Sequence, residues 1–273
     1  MSIESSVENV LITIHEQHSL PLNSFCSTMC ELSKSSYKNP DMLPSTDSVI
    51  SFISEGESQC YIWKYNDTVA ISFRGTESIG DIKDDISIIQ RIFEVPKDHV
   101  NSLQRSMLVH TGIYKQFLCL EPKLSTILSG NISDSNKIIY VTGHSLGGGL
   151  ATLASLYYSY KYANPIYCIT FGSPRVGNKD FANTFNERIA KSVRFVNQED
   201  PIPFFPSDIF YEHVCGIKYI DRNNKIQNKI TNNRFLHCIK DFICSLCCCA
   251  EKPTNDHLCS DYLRSIKDAD IDV

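Results

Sequence analysis

The pentapeptide Gly143-His144-Ser145-Leu146-Gly147 is the stretch whose residue types and spacing point most directly to chemistry. A serine hydroxyl is a weak nucleophile unless it is held beside a base that takes its proton. Glycines two positions either side of the serine let a strand and the following helix approach closely enough to make a sharp turn. The start of that helix aims free N–H groups at the reacting centre, so the Leu146 N–H is suited to binding a developing oxyanion. Such pentapeptides also occur in ordinary Gly-rich turns, and the flanking segments decide between the two readings. Here a β-rich run, Ile138 to Thr142, precedes it and a helical run follows. His144 sits beside Ser145, but adjacent side chains on a sharp turn diverge. It reads as a packing or hydrogen-bonding residue and not as the base.

A serine nucleophile of this kind needs an acid and a base, in the chain order Ser, acid, His. Asp200 ends a short strand, Ser192 to Asn197, at the carboxyl edge where sheet enzymes build their sites. Pro201 after it favours an extended backbone. Glu199 and Asp208 are rivals for the same role. The candidate bases are His213, His237 and His257. His213 follows Asp200 by only thirteen positions, and His237 falls on a helical pattern.

The elements that must position these groups alternate in type. Phe25 to Tyr37 reads as a helix stopped at Asn39-Pro40. Ser58 to Tyr65 and Thr68 to Arg74 read as strands joined by a turn at Asn66-Asp67. Lys137 to Thr142 suits a buried central strand, and Leu146 to Tyr162 a helix that ends before Asn164-Pro165. Ile166 to Phe171 is a further strand, Asp180 to Ala190 a helix, and Tyr211 to Ile220 a last strand. Alternation of this kind predicts an α/β fold, a mostly parallel central sheet with helices on both faces. One domain over residues 21–263 is expected, with an N-terminal extension over 1–20 and a tail over 264–273.

Composition narrows the function classes. The chain has 273 residues, 42% of them hydrophobic and 21% charged, which suits a globular fold with a sizeable core. A formal charge of −5 supplies no field to gather nucleic acid. No stretch is long and apolar enough to span a bilayer, and the first twenty residues lack the basic head and apolar block of a signal peptide. Twelve cysteines scattered through a chain of this size suggest reduced thiols in an intracellular compartment.

Several blocks in order resemble the class 3 lipases, the fungal-lipase-like branch of the α/β-hydrolases. Val69 to Thr76 (VAISFRGT) is similar to that family's oxyanion strand and loop, and His110-Thr111-Gly112-Ile113-Tyr114 to its His-X-Gly-Phe segment. Gly143 to Gly148 resembles its serine turn, while Phe171 to Asn178 and Arg194 to Pro203 resemble its next two strand ends. The resemblance covers about residues 25–263. It implies carboxylic-ester hydrolysis on a lipid or small ester substrate, with Ser145, Asp200 and His257 as the catalytic residues. His257 fits the family's late histidine followed by a tyrosine. The resemblance also implies Thr76 beside Leu146 as oxyanion donor, with Asp85 holding the Thr76 hydroxyl; a solvated acid beside Asp84 is the plain alternative for Asp85. It implies no metal and no cofactor, and contact with a lipid surface as a peripheral partner. A catalytically silent member that only docks on lipid or a partner is the alternative from another class, and acyl transfer to an acceptor other than water a third.

Two segments stay open. The family places a lid after Thr76, and Glu77 to Ile89 carries Ile79, Ile82, Ile86 and Ile89 at helical spacing, opposite acidic residues. A lid that opens on lipid and an ordinary amphipathic helix on the core are both compatible with that pattern. Ile82 stands where the family has a tryptophan, and the acidic face suits an esterase as well as a triglyceride lipase. Residues 235–250 form a Cys-rich helical insertion that the resemblance covers poorly. Core packing, S-acylation of Cys244 to Cys249 and a zinc site compete there.

Overall fold

The computed structural model describes residues 22–43, 49–65, 68–76, 89–96, 106–132, 137–198, 200–230 and 257–268. Asp85, Glu199 and His237, the lid segment up to residue 88, the Asn66-Asp67 turn and the cysteine run lie outside the described residues.

The chain opens with helix α1 (Leu22–Ser35) and three strands, β1 (Val49–Glu55), β2 (Ser58–Tyr65) and β3 (Thr68–Phe73). A short ribbon, β4 (Gln90–Ile92) with β5 (Leu108–His110), leads into helix α2 (Thr111–Asn131). Then β6 (Ile139–His144), α3 (Leu146–Lys161), β7 (Ile166–Phe171), α4 (Lys179–Arg188) and β8 (Lys191–Asn197) follow in strict alternation. Strands β9 (Ile217–Ile220) and β10 (Ile226–Gln227) and helix α5 (Cys259–Asp268) complete the described chain.

One eight-stranded sheet runs in the order β1-β2-β3-β6-β7-β8-β9-β10. Its centre, β3 through β9, is parallel, and antiparallel pairs close both edges. The central strands are buried on both faces, which explains why they read as nearly continuous apolar runs. Alternate residues serve opposite layers. Ile71, Phe73, Ile139, Val141 and Cys168 pack toward α2, α3 and α4, while Tyr140, Ile169, Phe171, Val193 and Phe195 pack toward α1 and α5.

Helix α1 gives Phe25, Met29 and Leu32 to the second layer, and α5 gives Tyr262 and Ile266. The helices also meet through thiols: Cys30 Sγ lies 3.7 Å from the Cys259 carbonyl oxygen, and Cys259 Sγ 3.8 Å from that of Cys30. The first and last described helices are thereby one packing unit. One expectation needs correction. The strand expected over Tyr211 to Ile220 is Ile217–Ile220: Gly216 takes a positive φ of 86°, and Glu212 forms only an isolated bridge to Gly177. Helix α5 runs to Asp268, with Ser265 and Ile266 buried.

Candidate active site

Ser145 sits between β6 and α3, at the carboxyl edge of the central sheet. Its φ of 57° and ψ of −130° put a non-glycine residue in a sparsely allowed region, strain that the packed turn must hold. The packing explains both flanking glycines. A Cβ on Gly143 would fall on the Gly147 carbonyl, and one on Gly147 would fall on the Phe73 carbonyl of β3. The turn therefore closes only with hydrogen at both positions.

The structure brings together three of the residues singled out from the sequence. His257 Nε2 lies 2.8 Å from Ser145 Oγ, and His257 Nδ1 lies 3.0 and 2.9 Å from Asp200 Oδ1 and Oδ2. Asp200 and Ser145 are fully buried and His257 nearly so. With Nδ1–H donating to the carboxylate, Nε2 is left as an acceptor for the serine hydroxyl. That is the protonation pattern a general base needs.

Asp200 is itself held on several sides. Its Oδ1 accepts from the Ile202 N–H at 3.0 Å, and its Oδ2 accepts from the Tyr262 hydroxyl at 2.5 Å. The Tyr262 oxygen in turn accepts the Asn197 N–H at 3.0 Å, so α5 is bonded to the end of β8 beside the acid. Tyr262 was not assigned a role from the sequence. Its signal is only that a tyrosine follows the late histidine by little more than one helical turn.

The expected oxyanion donors lie on the same side. Leu146 opens α3, so its N–H is one of the helix's first four and has no acceptor within the helix. Thr76 follows Gly75, which packs against Ser145: a Cβ built on Gly75 would lie 3.2 Å from Ser145 Cβ. Thr76 is partly exposed. The rival residues are elsewhere. Asp208 is exposed, and the His213 Nε2–H donates to the Pro203 carbonyl oxygen. Among the described residues no group of three or more His, Cys, Asp or Glu side chains could hold a metal ion.

Gly172, at the end of β7, has φ of 59° and underlies the whole array. A Cβ there would lie 2.7 Å from Asp200 Oδ2 and 3.2 Å from both His257 Nδ1 and the Tyr262 hydroxyl. Gly172→Ala is expected to cost roughly 1–2 kcal/mol of backbone strain. By displacing the carboxylate it should also lower kcat about 100-fold. Thermal unfolding and steady-state turnover measured on one preparation check both effects.

Two histidines, His144 buried and His213 partly buried, give the fold a pH dependence. Burial, then the neighbouring His257, pushes His144 well below the usual imidazole range, against a smaller opposite effect from its bond to the His257 carbonyl. His213 is pushed down by burial and then by the Arg194 and Arg175 guanidiniums, its bond to the Pro203 carbonyl opposing. A folded pKa below the unfolded value of about 6.5 means that the unfolded chain binds protons first as pH falls. This contribution to stability is complete above about pH 6.5 and is lost progressively below it. The melting temperature is expected to fall from pH 7 to pH 5; a flat profile over that window would contradict the neutral state of both imidazoles.

The proteins similar to this chain fall in one family. A family model described as lipase (class 3) matches residues 70–210. The chain is 34% identical over 115 residues to the secreted mono- and diacylglycerol lipase 1 of Fusarium solani, covering 41% of this chain and 34% of that one. It is 30% identical over 161 residues to the chloroplastic phospholipase A1-Igamma2 of Arabidopsis thaliana, covering 50% of this chain and 30% of the other. The matches thus span about a third of these relatives' lengths. A solved structure of the Rhizomucor miehei triacylglyceride lipase superposes with a TM-score of 0.60 at 23% identity, over 73% of this chain and 80% of that one. That superposition identifies the sheet and its helices as the α/β-hydrolase fold.

Proposed function

Because this chain belongs to the class 3 lipase family, we propose that its buried Ser145, His257 and Asp200 hydrolyse carboxylic esters of lipids. The observation that carries this is the continuous line of hydrogen bonds from Ser145 Oγ through the imidazole to the carboxylate. Ser145 attacks the ester carbonyl carbon as its proton passes to His257 Nε2. The Leu146 and Thr76 N–H groups hold the oxyanion of the tetrahedral intermediate. Asp200 keeps the imidazole oriented and stabilises the imidazolium. The same proton then goes to the departing alcohol, leaving an acyl group on Ser145. Water, deprotonated by His257, releases the acid and restores the serine.

Acylglycerols and phospholipids are the proposed substrates, in keeping with the names of the two relatives. Exposed apolar side chains support peripheral contact with a lipid layer. Leu258, next to the base in the chain, is 48% exposed, and Ile209 and Phe210 are 76% and 59% exposed. Gln90 Nε2 donates to the Phe210 carbonyl at 2.8 Å, which joins that pair to the strand after Ile89, itself exposed. Among the described residues no helix is long and apolar enough to cross a membrane. The free thiols of the described cysteines support a reducing, intracellular setting, although the Fusarium relative is named as secreted.

The test is labelling with a fluorophosphonate, followed by peptide mass mapping. A single adduct on Ser145, together with turnover of long-chain acylglycerol or phospholipid, is the expected result. A folded protein that takes no label is a silent docking member of the family, and the proposal then falls.

A further inference from the structure

We propose that His144 is the positioning residue of the base, gripping the main chain of His257 while the His257 ring exchanges its proton. The proposal rests on the hydrolase reading above. His144 ends β6, where the register fixes its backbone opposite Phe171 of β7. Its side chain lies between Tyr37, just beyond α1, and His257, just before α5. There it makes two directed contacts. His144 Nε2 lies 2.5 Å from the His257 carbonyl oxygen, and His144 Nδ1 lies 2.8 Å from the Tyr37 hydroxyl.

Those partners define the tautomer. A carbonyl oxygen only accepts, so Nε2 carries the hydrogen. In a neutral imidazole Nδ1 is then an acceptor, and the Tyr37 hydroxyl donates to it. Burial and the adjacent His257 keep the ring neutral, in agreement with that assignment. The two imidazoles stand 4.7 Å apart, centroid to centroid, at 35°, and Tyr262 packs edge-on against His144.

The functional point is what stays constant. Both ring bonds of His257 change character in the reaction, since Ser145 loses its proton and the Asp200 contact becomes ionic. The bond from His144 to the His257 main chain involves no group that changes charge. It ties the base to the residue immediately before the nucleophile, so the serine and the imidazole share one support. Only one of the two neighbouring imidazoles takes a proton, because His144 stays neutral beside the imidazolium. Tyr37, just beyond α1, sets this by occupying Nδ1.

His144→Leu removes the donor and is expected to lower kcat 10- to 100-fold with KM changed less than threefold, the scale of a small misplacement of a reacting group. His144→Gln offers an amide N–H near the position of Nε2 and is expected to recover most of that loss. Wild-type kcat in His144→Leu overturns the proposal. So does failure of Gln to improve on Leu when both variants melt near the wild type. Nitrogen NMR of the unmodified enzyme gives an independent reading that needs no variant to fold. His144 should show a protonated Nε2 and a bare Nδ1 from pH 5 to 8, and an imidazolium or the other tautomer overturns the assignment. Because this spectrum is read without turnover, an enzyme that is never labelled at Ser145 would defeat the hydrolase reading separately.

Discussion

Ser145→Ala is expected to lower kcat for ester hydrolysis by about 10⁶-fold, the scale seen when a serine nucleophile of this type is removed. The size follows from geometry. Without Oγ there is no acyl-enzyme, and the His257 imidazole faces a methyl group. What remains is binding and the proposed oxyanion donors, Leu146 and Thr76, which would still favour the transition state over water alone. Stability should barely change. Ser145 makes no side-chain cap bond to α3, and alanine suffers the same strain at φ of 57° that serine already tolerates. The measurement is turnover of p-nitrophenyl esters by wild type and variant, with melting curves of both. Turnover in the variant within a hundredfold of the wild type would remove Ser145 from its assigned role.

Asp200→Asn tests the other end of the array and should reduce kcat about 10⁴-fold, as loss of the orienting carboxylate does in serine proteases. The cause is a tautomer. Asp200 accepts four contacts: from His257 Nδ1, from the Ile202 N–H and from the Tyr262 hydroxyl, with Nδ1 within reach of both oxygens. An amide keeps one acceptor oxygen and turns an N–H toward one of these donors. Placed against His257, that N–H requires a bare Nδ1, which moves the imidazole hydrogen to Nε2. Nε2 then points a hydrogen at the serine hydroxyl and no longer accepts its proton. Because the substrate surface is untouched, KM should change little. A loss smaller than tenfold would show that Asp200 is only a packing partner of the histidine.

Much of this site was legible in the sequence because its members sit at turns with strong local signatures. Gly143 and Gly147 flank Ser145 at a strand-to-helix junction, and Asp200 follows the end of a short apolar strand. His257 carried little local signal, since its role depends on α5 packing on α1, a contact between chain segments far apart. Tyr262, Tyr37 and the carbonyl partner of His144 were hidden for the same reason: hydrogen bonds across layers leave no spacing to read.

Among the elements, helix α2 was the largest omission. Ile113, Tyr114, Phe117, Leu120, Leu124 and Leu128 recur at helical intervals, but Pro122 sits inside the helix and argues locally against it. The fold tolerates the proline because the buried face of α2 continues on both sides of it. Strand β9 was overextended because Tyr211 and Val214 look like strand residues, yet the positive φ at Gly216 ends the pairing.

The Cys30 and Cys259 contacts join segments 229 positions apart. Closing so large a loop is entropically slow, so docking of α5 should come late in folding. On the ribosome, the nucleophile turn would emerge and pack well before the base exists. A nascent chain would therefore carry a finished serine with no partner, and would remain inert toward nearby membranes until synthesis had passed the final helix.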